Sequence, residues 1–268
     1  MIERIDSPAN KKIKLTAALK QRKQREKTGL FVAEGIRLCE MAAEAGWQVE
    51  FGLLTGQVRE QERGAKLVEK LTGQNCPLYE VPETVFAKAA GTETPQGILL
   101  VMGQKSPSLP QTAERENPLY VVMDGVQDPG NAGTIIRTAD AVGADGVILL
   151  KGSVDVYGDK AVRSTMGSIF HVPVYSGVSV EELTDFARRN DLQLLATALD
   201  ETAKPHFGQD FTKGTAVVLG NEGNGVSQEI LAVAQKTYIP MYGQAESLNV
   251  GMSGAIVLYE ALRQRKFG

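Results

Sequence analysis

A chain of 268 residues with 43% hydrophobic and 23% charged residues has the length for one large or two ordinary domains and a sizeable core. A formal net charge of −3 excludes a polybasic nucleic-acid binder over the whole length, and no apolar run approaches the roughly 20 residues of a membrane helix. Cys39 and Cys76 lie far apart, and with only His171 and His206 beside them they exclude a disulfide framework and a zinc cluster. The opening MIERIDSPANKKIK lacks an apolar core of signal-peptide length, so a reduced, cytoplasmic protein without a resident metal is expected.

The first 30 residues are basic, with nine Lys and Arg against three Asp and Glu. Such a segment on an acidic chain is either a phosphate footprint or the solvated face of a helix, here one that begins after Ser7-Pro8. A short strand at LFVAEG and a helix through Ile36, Leu38, Cys39 and Met41 come next. VEFGLL, CPLYEV and GILLVM read as strands between helical stretches, a small α/β layer domain over residues 1–104. GQKSPSLPQTAEREN, rich in Pro, Ser and charge, reads as a linker over 105–117.

Over 118–268 the alternation is clearer. LYVVMDGV, GVILL, HVPVYSG, LQLLATAL, TAVVLG and TYIPM are candidate buried strands. GTIIRTADAVG, DKAVRSTMGSIF, VEELTDFARRN and VSQEILAVAQK are the helices between them, and SGAIVLYEALRQR is a closing helix. This pattern predicts a mainly parallel sheet covered on both faces.

Three segments of this half carry polar residues suited to chemistry. In DPGNAGTIIRTADAVG, Asn131 stands at a predicted helix N-cap and Arg137 two turns further on, where a pair with Asp140 is the structural alternative. In LGNEGNGVS, the glycines Gly220, Gly223 and Gly225 run in the reverse order of a dinucleotide fingerprint, and no Lys-Ser or Lys-Thr follows to make a P-loop. Asn221 and Glu222 sit in that loop, where the acidic residue also suits the dipole of the next helix. In IPMYGQAESLNVGMS, Ser247 and Asn249 precede the final helix as possible caps.

Taken together, NAGTIIRTADA, LGNEGNG and IPM…SLNV resemble the three motifs of the SpoU, or TrmH-type, RNA 2'-O-ribose methyltransferases of the SPOUT superfamily. The resemblance runs from Leu119 to the C-terminus, and LFVAEGIRL with its surroundings resembles the family's ribosomal-protein-like RNA-binding domain. It implies an α/β fold whose C-terminal sheet is threaded into a deep trefoil knot, and a homodimer packed through the knotted domain. The cofactor implied is S-adenosyl-L-methionine, bent among the knot loops. Gly220, Ile239 and Leu248 are expected to line it through backbone, with Thr197, Leu219, Asn221 and Met241 beside them. Asn131, Arg137, Glu222, Ser247 and Asn249 are expected around a ribose hydroxyl of structured RNA, with ribosomal RNA favoured and transfer RNA open. A non-catalytic RNA-binding protein of the same fold, a base-modifying relative and a dinucleotide-dependent oxidoreductase are the rivals. The last is disfavoured by the reversed glycine order.

Overall fold

Short apolar runs form the central strands of both sheets, and the side-chain period of two decides which faces they bury. The computed structural model describes residues 2–268. They divide into a first unit that runs through Lys105 and also takes Asp155–Phe170, and a second unit of Ser106–Val154 and His171–Gly268.

In the first unit the order is β1 (Glu3–Arg4), α1 (Lys11–Ala18), α2 (Arg22–Thr28), β2 (Leu30–Glu34), α3 (Ile36–Glu44), β3 (Val49–Leu54), α4 (Gly56–Glu60), α5 (Glu62–Gly73), β4 (Leu78–Glu80), α6 (Glu83–Ala89) and β5 (Ile98–Gly103). The sheet order is β1-β4-β3-β5-β2, with β5 antiparallel to both of its neighbours. Ile13, Leu19, Leu53, Phe86 and Leu99 fill one core cluster, each worth about 1.5–3 kcal/mol when fully buried.

Much of the basic N-terminal segment is built into this unit. Arg25 is buried and donates to the carbonyls of Leu19 and Lys20 and to Asp155. Lys12 lies over the rings of Phe51 and Tyr79, at 4.7 and 4.6 Å from their centres. Lys11, Lys14, Lys23 and Lys27 remain exposed. Cys39 is fully buried, and burial pushes its thiol far up, so it is an inert core residue.

The second unit contains β6 (Leu119–Asp124), α7 (Pro129–Ala141) and β7 (Gly146–Leu150). α8 (Asp159–Ser164), next in the chain, belongs to the first unit. The second unit continues with β8 (Val174–Val178), α9 (Val180–Arg189), β9 (Gln193–Thr197), β10 (Lys204–Pro205), β11 (Thr215–Gly220), α10 (Gln228–Leu231), β12 (Gln235–Tyr238) and α11 (Val250–Phe267). The seven strands lie in the order β10-β12-β9-β11-β6-β7-β8, and every pairing is parallel. Tyr120, Val122, Ile148, Ala216 and Val218 face Leu183 and Phe186 of α9 in one core cluster. The alternate residues Val121, Met123, Val217 and Leu219 are fully buried on the opposite face, where α7 and α11 pack.

Three expectations change here. The segment read as part of a linker is fastened to the second unit: Leu109 and Ala113 pack on its core, and Ala113 N–H donates to Asn190 at 2.7 Å. Residues Asp155–Phe170, expected inside the C-terminal domain, cluster with the first unit. The expected helix VSQEILAVAQK is a single turn, because Gln235–Tyr238 pairs as a strand with β9 and long-range pairing overrides helical periodicity. Among the described residues no helix is long and apolar enough to cross a membrane, and no group of three or more His, Cys, Asp or Glu stands ready to hold a metal.

Candidate functional site

Parallel sheets offer their ligand crevice at the carboxyl ends of the strands. Thr197, Gly220 and Tyr238 close β9, β11 and β12, three adjacent strands, and the loops that leave them wall a cavity of about 570 Å³. That volume falls within the range of about 300–1,000 Å³ usual for small-molecule sites.

The loop after β11 owes its shape to glycine. A Cβ on Gly220 would lie 2.2 Å from the carbonyl carbon of Gly225 and 2.2 Å from the nitrogen of Val226. Asn221 and Gly225 close the turn by exchanging backbone hydrogen bonds, both 2.9 Å, and Gly225 adopts φ +71°. The Asn221 side chain ties the loop down, accepting from Gly223 and Asn224 N–H and donating to the carbonyl of Gly125 at 2.8 Å. Gly220 is therefore required by the loop's own return, at a position that also lines the cavity. Gly223 meets no such constraint.

The three motifs converge through hydrogen bonds. The N-cap of α7 is Asp128, which accepts from the N–H of Asn131 at 2.9 Å, and Pro129 takes the first helical position. Asn131 is thus inside the first turn, a correction to its expected place as the cap. Its carboxamide donates to Glu222 Oε1 at 2.9 Å and accepts from Asn249 Nδ2 at 2.9 Å. Glu222 also accepts the N–H groups of Gln127 at 3.0 Å and Asp128 at 3.1 Å. Burial pushes the Glu222 carboxyl up, but these donors outweigh it and hold the group below its ordinary value. Asn249 in turn caps α11, accepting from Gly251 and Met252 N–H.

Of the residues expected at a cofactor, Thr197, Gly220, Asn221, Ile239, Met241 and Leu248 line the cavity. Leu219 does not: it is fully buried and sits where a Cβ on Gly254 of α11 would touch it. Of those expected at the chemistry, Glu222, Ser247 and Asn249 line the cavity, and Asn131 joins through its hydrogen bonds. Arg137 stands apart. Six residues beyond Asn131, it is turned about 120° around α7; it is exposed and absent from the cavity wall. The expected Arg137–Asp140 pair is not formed, and Asp140 lies 3.6 Å from His171 instead. Sequence reasoning missed Leu199, Val226 and Leu231, whose apolar side chains complete the wall; a position beside a strand end was their only signal.

One electrostatic property narrows the ligand. Glu222 is the sole charged side chain on the wall, which carries neither Lys nor Arg. A polyphosphate would meet no cation there. A compact ligand bearing positive charge and an aromatic base fits the apolar wall, the strand-end backbone and the fixed carboxylate, which is the donor set S-adenosylmethionine needs.

Comparison with known proteins divides the chain in sequence order. Residues 118–259 match the SpoU rRNA Methylase family, and residues 10–100 match the MRM3-like substrate binding domain. The chain is 37% identical to the 23S rRNA (guanosine(2553)-2'-O)-methyltransferase RlmP of Bacillus subtilis, over 96% of this chain and 98% of that protein. It is 34% identical to the 23S rRNA (uridine(2479)-2'-O)-methyltransferase of Streptomyces viridochromogenes, over 94% of this chain and 89% of the other. The AdoMet-bound rRNA methyltransferase of Sinorhizobium meliloti superposes with a TM-score of 0.88 at 32% identity, over 100% of this chain and 99% of that one.

Proposed function

The chain belongs to the SpoU rRNA methylase family, and on that premise we propose that it methylates a ribose 2'-hydroxyl of large-subunit ribosomal RNA, with S-adenosylmethionine as methyl donor. The observation that carries this reading is the hydrogen-bonded chain Glu222–Asn131–Asn249, which joins three distant motifs beside a cavity walled by strand ends and free of cations. Near full-length similarity to two 23S rRNA 2'-O-methyltransferases supports ribosomal RNA as the substrate class.

S-adenosylmethionine, when bound, supplies an electrophilic methyl on a sulfonium. The chain's own residues do the rest. Thr197, Gly220, Ile239 and Leu248 would hold the donor, and the apolar side chains of Leu199, Val226 and Leu231 would exclude water from the cavity. Ser247 and Asn249 stand on the wall where a ribose hydroxyl is aligned, and alignment of this kind supplies several kcal/mol. Glu222 positions Asn131 and is not the base: three donors already occupy its oxygens and lower its basicity. Arg137 lies outside the cavity of its own chain; reaching the cavity from a second copy, it would clamp the target phosphate and stabilise the developing alkoxide, while the 2'-proton passes to solvent. A guanidinium stays charged at pH 7, which suits a clamp and not a proton acceptor.

In this reading the protein is a cytoplasmic homodimer and its C-terminal sheet is knotted. Exposed Met252, Ile256 and Tyr259 recur at i, i+4 and i+7 on α11, the stripe a second copy would cover. β12 lies beyond β9, yet the chain returns across the sheet to place α11 on α7 and β11, the kind of crossing a threaded chain makes.

Incubating the protein with ribosomal RNA and methyl-labelled S-adenosylmethionine tests the function. Label should appear in dinucleotides that resist alkaline hydrolysis. Label in alkali-sensitive mononucleotides would mean base methylation, and none at all would mean a binding protein.

A further inference from the structure

We infer that the first unit holds a separate subsite for one nucleotide of single-stranded RNA, in a cavity of about 300 Å³ between the start of α3 and the end of α8. The subsite rests on RNA being the substrate.

The wall of this cavity is mixed in a telling way. Arg37 and Arg163 both line it, and among the described residues neither guanidinium makes a hydrogen bond or ion pair. Elsewhere in this unit arginines are used: Arg25 closes on Asp155, Arg59 on Glu80 and Arg63 on Glu40. Two guanidiniums without a hydrogen bond at one cavity, Arg37 exposed and Arg163 within electrostatic reach of Asp159, can take an anion, and their planar forks match phosphate oxygens. The Glu34 carboxylate behind them does not take that role, because it is buried and already accepts from Gly91 N–H and the Thr92 hydroxyl.

Thr92, Thr94 and Gln96 add polar groups to the wall, and Leu38 and Met166 supply its apolar side chains. Leu38 is buried at the floor, whereas Met166 is 38% exposed at the rim. Met166 adopts φ +52°, a left-handed conformation that a non-glycine residue takes only when its surroundings impose it. The next residue, Gly167 at φ +97°, packs so closely that a Cβ there would lie 2.3 Å from the sulfur of Met41. This turn holds a polarisable thioether beside the two guanidiniums. A base laid against Met166 and Leu38 with its phosphate between Arg37 and Arg163 uses every one of these features. The volume suits a single nucleotide.

The test compares the parent protein with Arg37→Ala, Arg163→Ala and Met166→Ala, measuring RNA affinity over a range of salt, S-adenosylmethionine affinity and methyl transfer. Each arginine variant should bind RNA about three- to tenfold more weakly, with the slope of log K against log salt reduced by about 0.7 as one single-strand phosphate contact is lost. Met166→Ala should weaken RNA with the parent's slope, since it removes a stacking surface and no charge. In all three, KM for RNA should rise while kcat at saturating RNA and the affinity for S-adenosylmethionine stay at the parent's values. Parent-like RNA affinity and slope in both arginine variants would overturn the subsite. Binding of uridine monophosphate that is lost in those variants while RNA affinity is unchanged would also overturn it, making the cavity a free-nucleotide site. A parent protein that fails to methylate RNA refutes the function itself, an outcome read separately from the binding series.

Discussion

Asn249 donates a 2.9 Å hydrogen bond to Asn131, and 118 residues of chain separate the two. The same carboxamide reaches Glu222 on its other side. Two helix starts and one loop are thereby locked at a single point, and breaking the middle member should loosen both ends. Asn131→Ala removes a donor and an acceptor together. We expect S-adenosylmethionine affinity to fall only a few-fold and kcat by about 10²-fold, the scale of a lost orienting contact. Single-turnover transfer with saturating cofactor separates the two effects, and an unchanged kcat would count against the linkage.

The Glu222 carboxylate gives a pH prediction with a definite sign. Its folded value is depressed, so the hydrogen bonds it accepts contribute in full above the ordinary glutamate value of about 4.3. They are lost only as pH falls through the lowered folded value. Cofactor affinity should therefore stay flat with respect to this group from pH 8 down to about 4.5. Titration calorimetry across that range checks it; an ionisation near neutrality that disappears in Glu222→Gln would make Glu222 the proton acceptor after all.

Gly220 and Gly223 look alike in the sequence and differ in the fold. A methyl on Gly220 collides with backbone at 2.2 Å, whereas one on Gly223 meets only Asn221 Oδ1 at 3.6 Å. Gly220→Ala should cost about 1–3 kcal/mol or more and abolish cofactor binding, since backbone cannot yield as a side chain can. Gly223→Ala should leave both near the parent's values. Thermal melts with and without cofactor distinguish the pair.

How much of this was legible beforehand follows from the range of the interactions. The parallel sheet was readable because TAVVLG and LYVVMDGV are continuous apolar runs, a local property. The cavity-lining backbone at Gly220, Ile239 and Leu248 was readable from motif resemblance. Asn131 was misread as the cap because Asp128, three residues earlier, takes that place; its tie to Glu222, 91 residues away, is non-local and had no local signal. TYIPM was read as a strand, but the start of β12 at Gln235 and Lys236 was hidden by the helical spacing of Ile230, Leu231 and Ala234, and its pairing with β9 is likewise non-local. The placing of Arg137 on an exposed face was hidden in the same way. Its spacing from Asn131 was visible, but the face that α7 buries depends on α11.

Arg137 is exposed and makes no hydrogen bond, so its removal should barely touch stability, within about 0.5 kcal/mol. As a phosphate clamp and alkoxide stabiliser it should matter greatly to turnover. Arg137→Ala should lower transfer by about 10²-fold or more with cofactor affinity intact. Arg137→Lys should recover little, because a point charge does not reproduce the fork. Near-normal turnover in Arg137→Ala removes this residue from the mechanism.

The proposed homodimer rests on the apolar stripe of α11. Met252, Ile256 and Tyr259 are 61%, 39% and 53% exposed, while Val257, Leu258 and Ala261 on the inner face are fully buried. A charge at the centre of the stripe strikes an interface and spares the core. Ile256→Glu should shift the protein from dimer to monomer in analytical ultracentrifugation, with circular dichroism unchanged. If the dimer also brings Arg137 of a second copy to the cavity, the monomer loses transfer and still binds cofactor, because the cavity wall belongs to one chain. Mixing Arg137→Ala with Ser247→Ala then restores part of the activity, since each mixed dimer contains one site with both residues intact. A monomeric parent protein would leave the stripe without its partner and require Arg137 to act within its own chain.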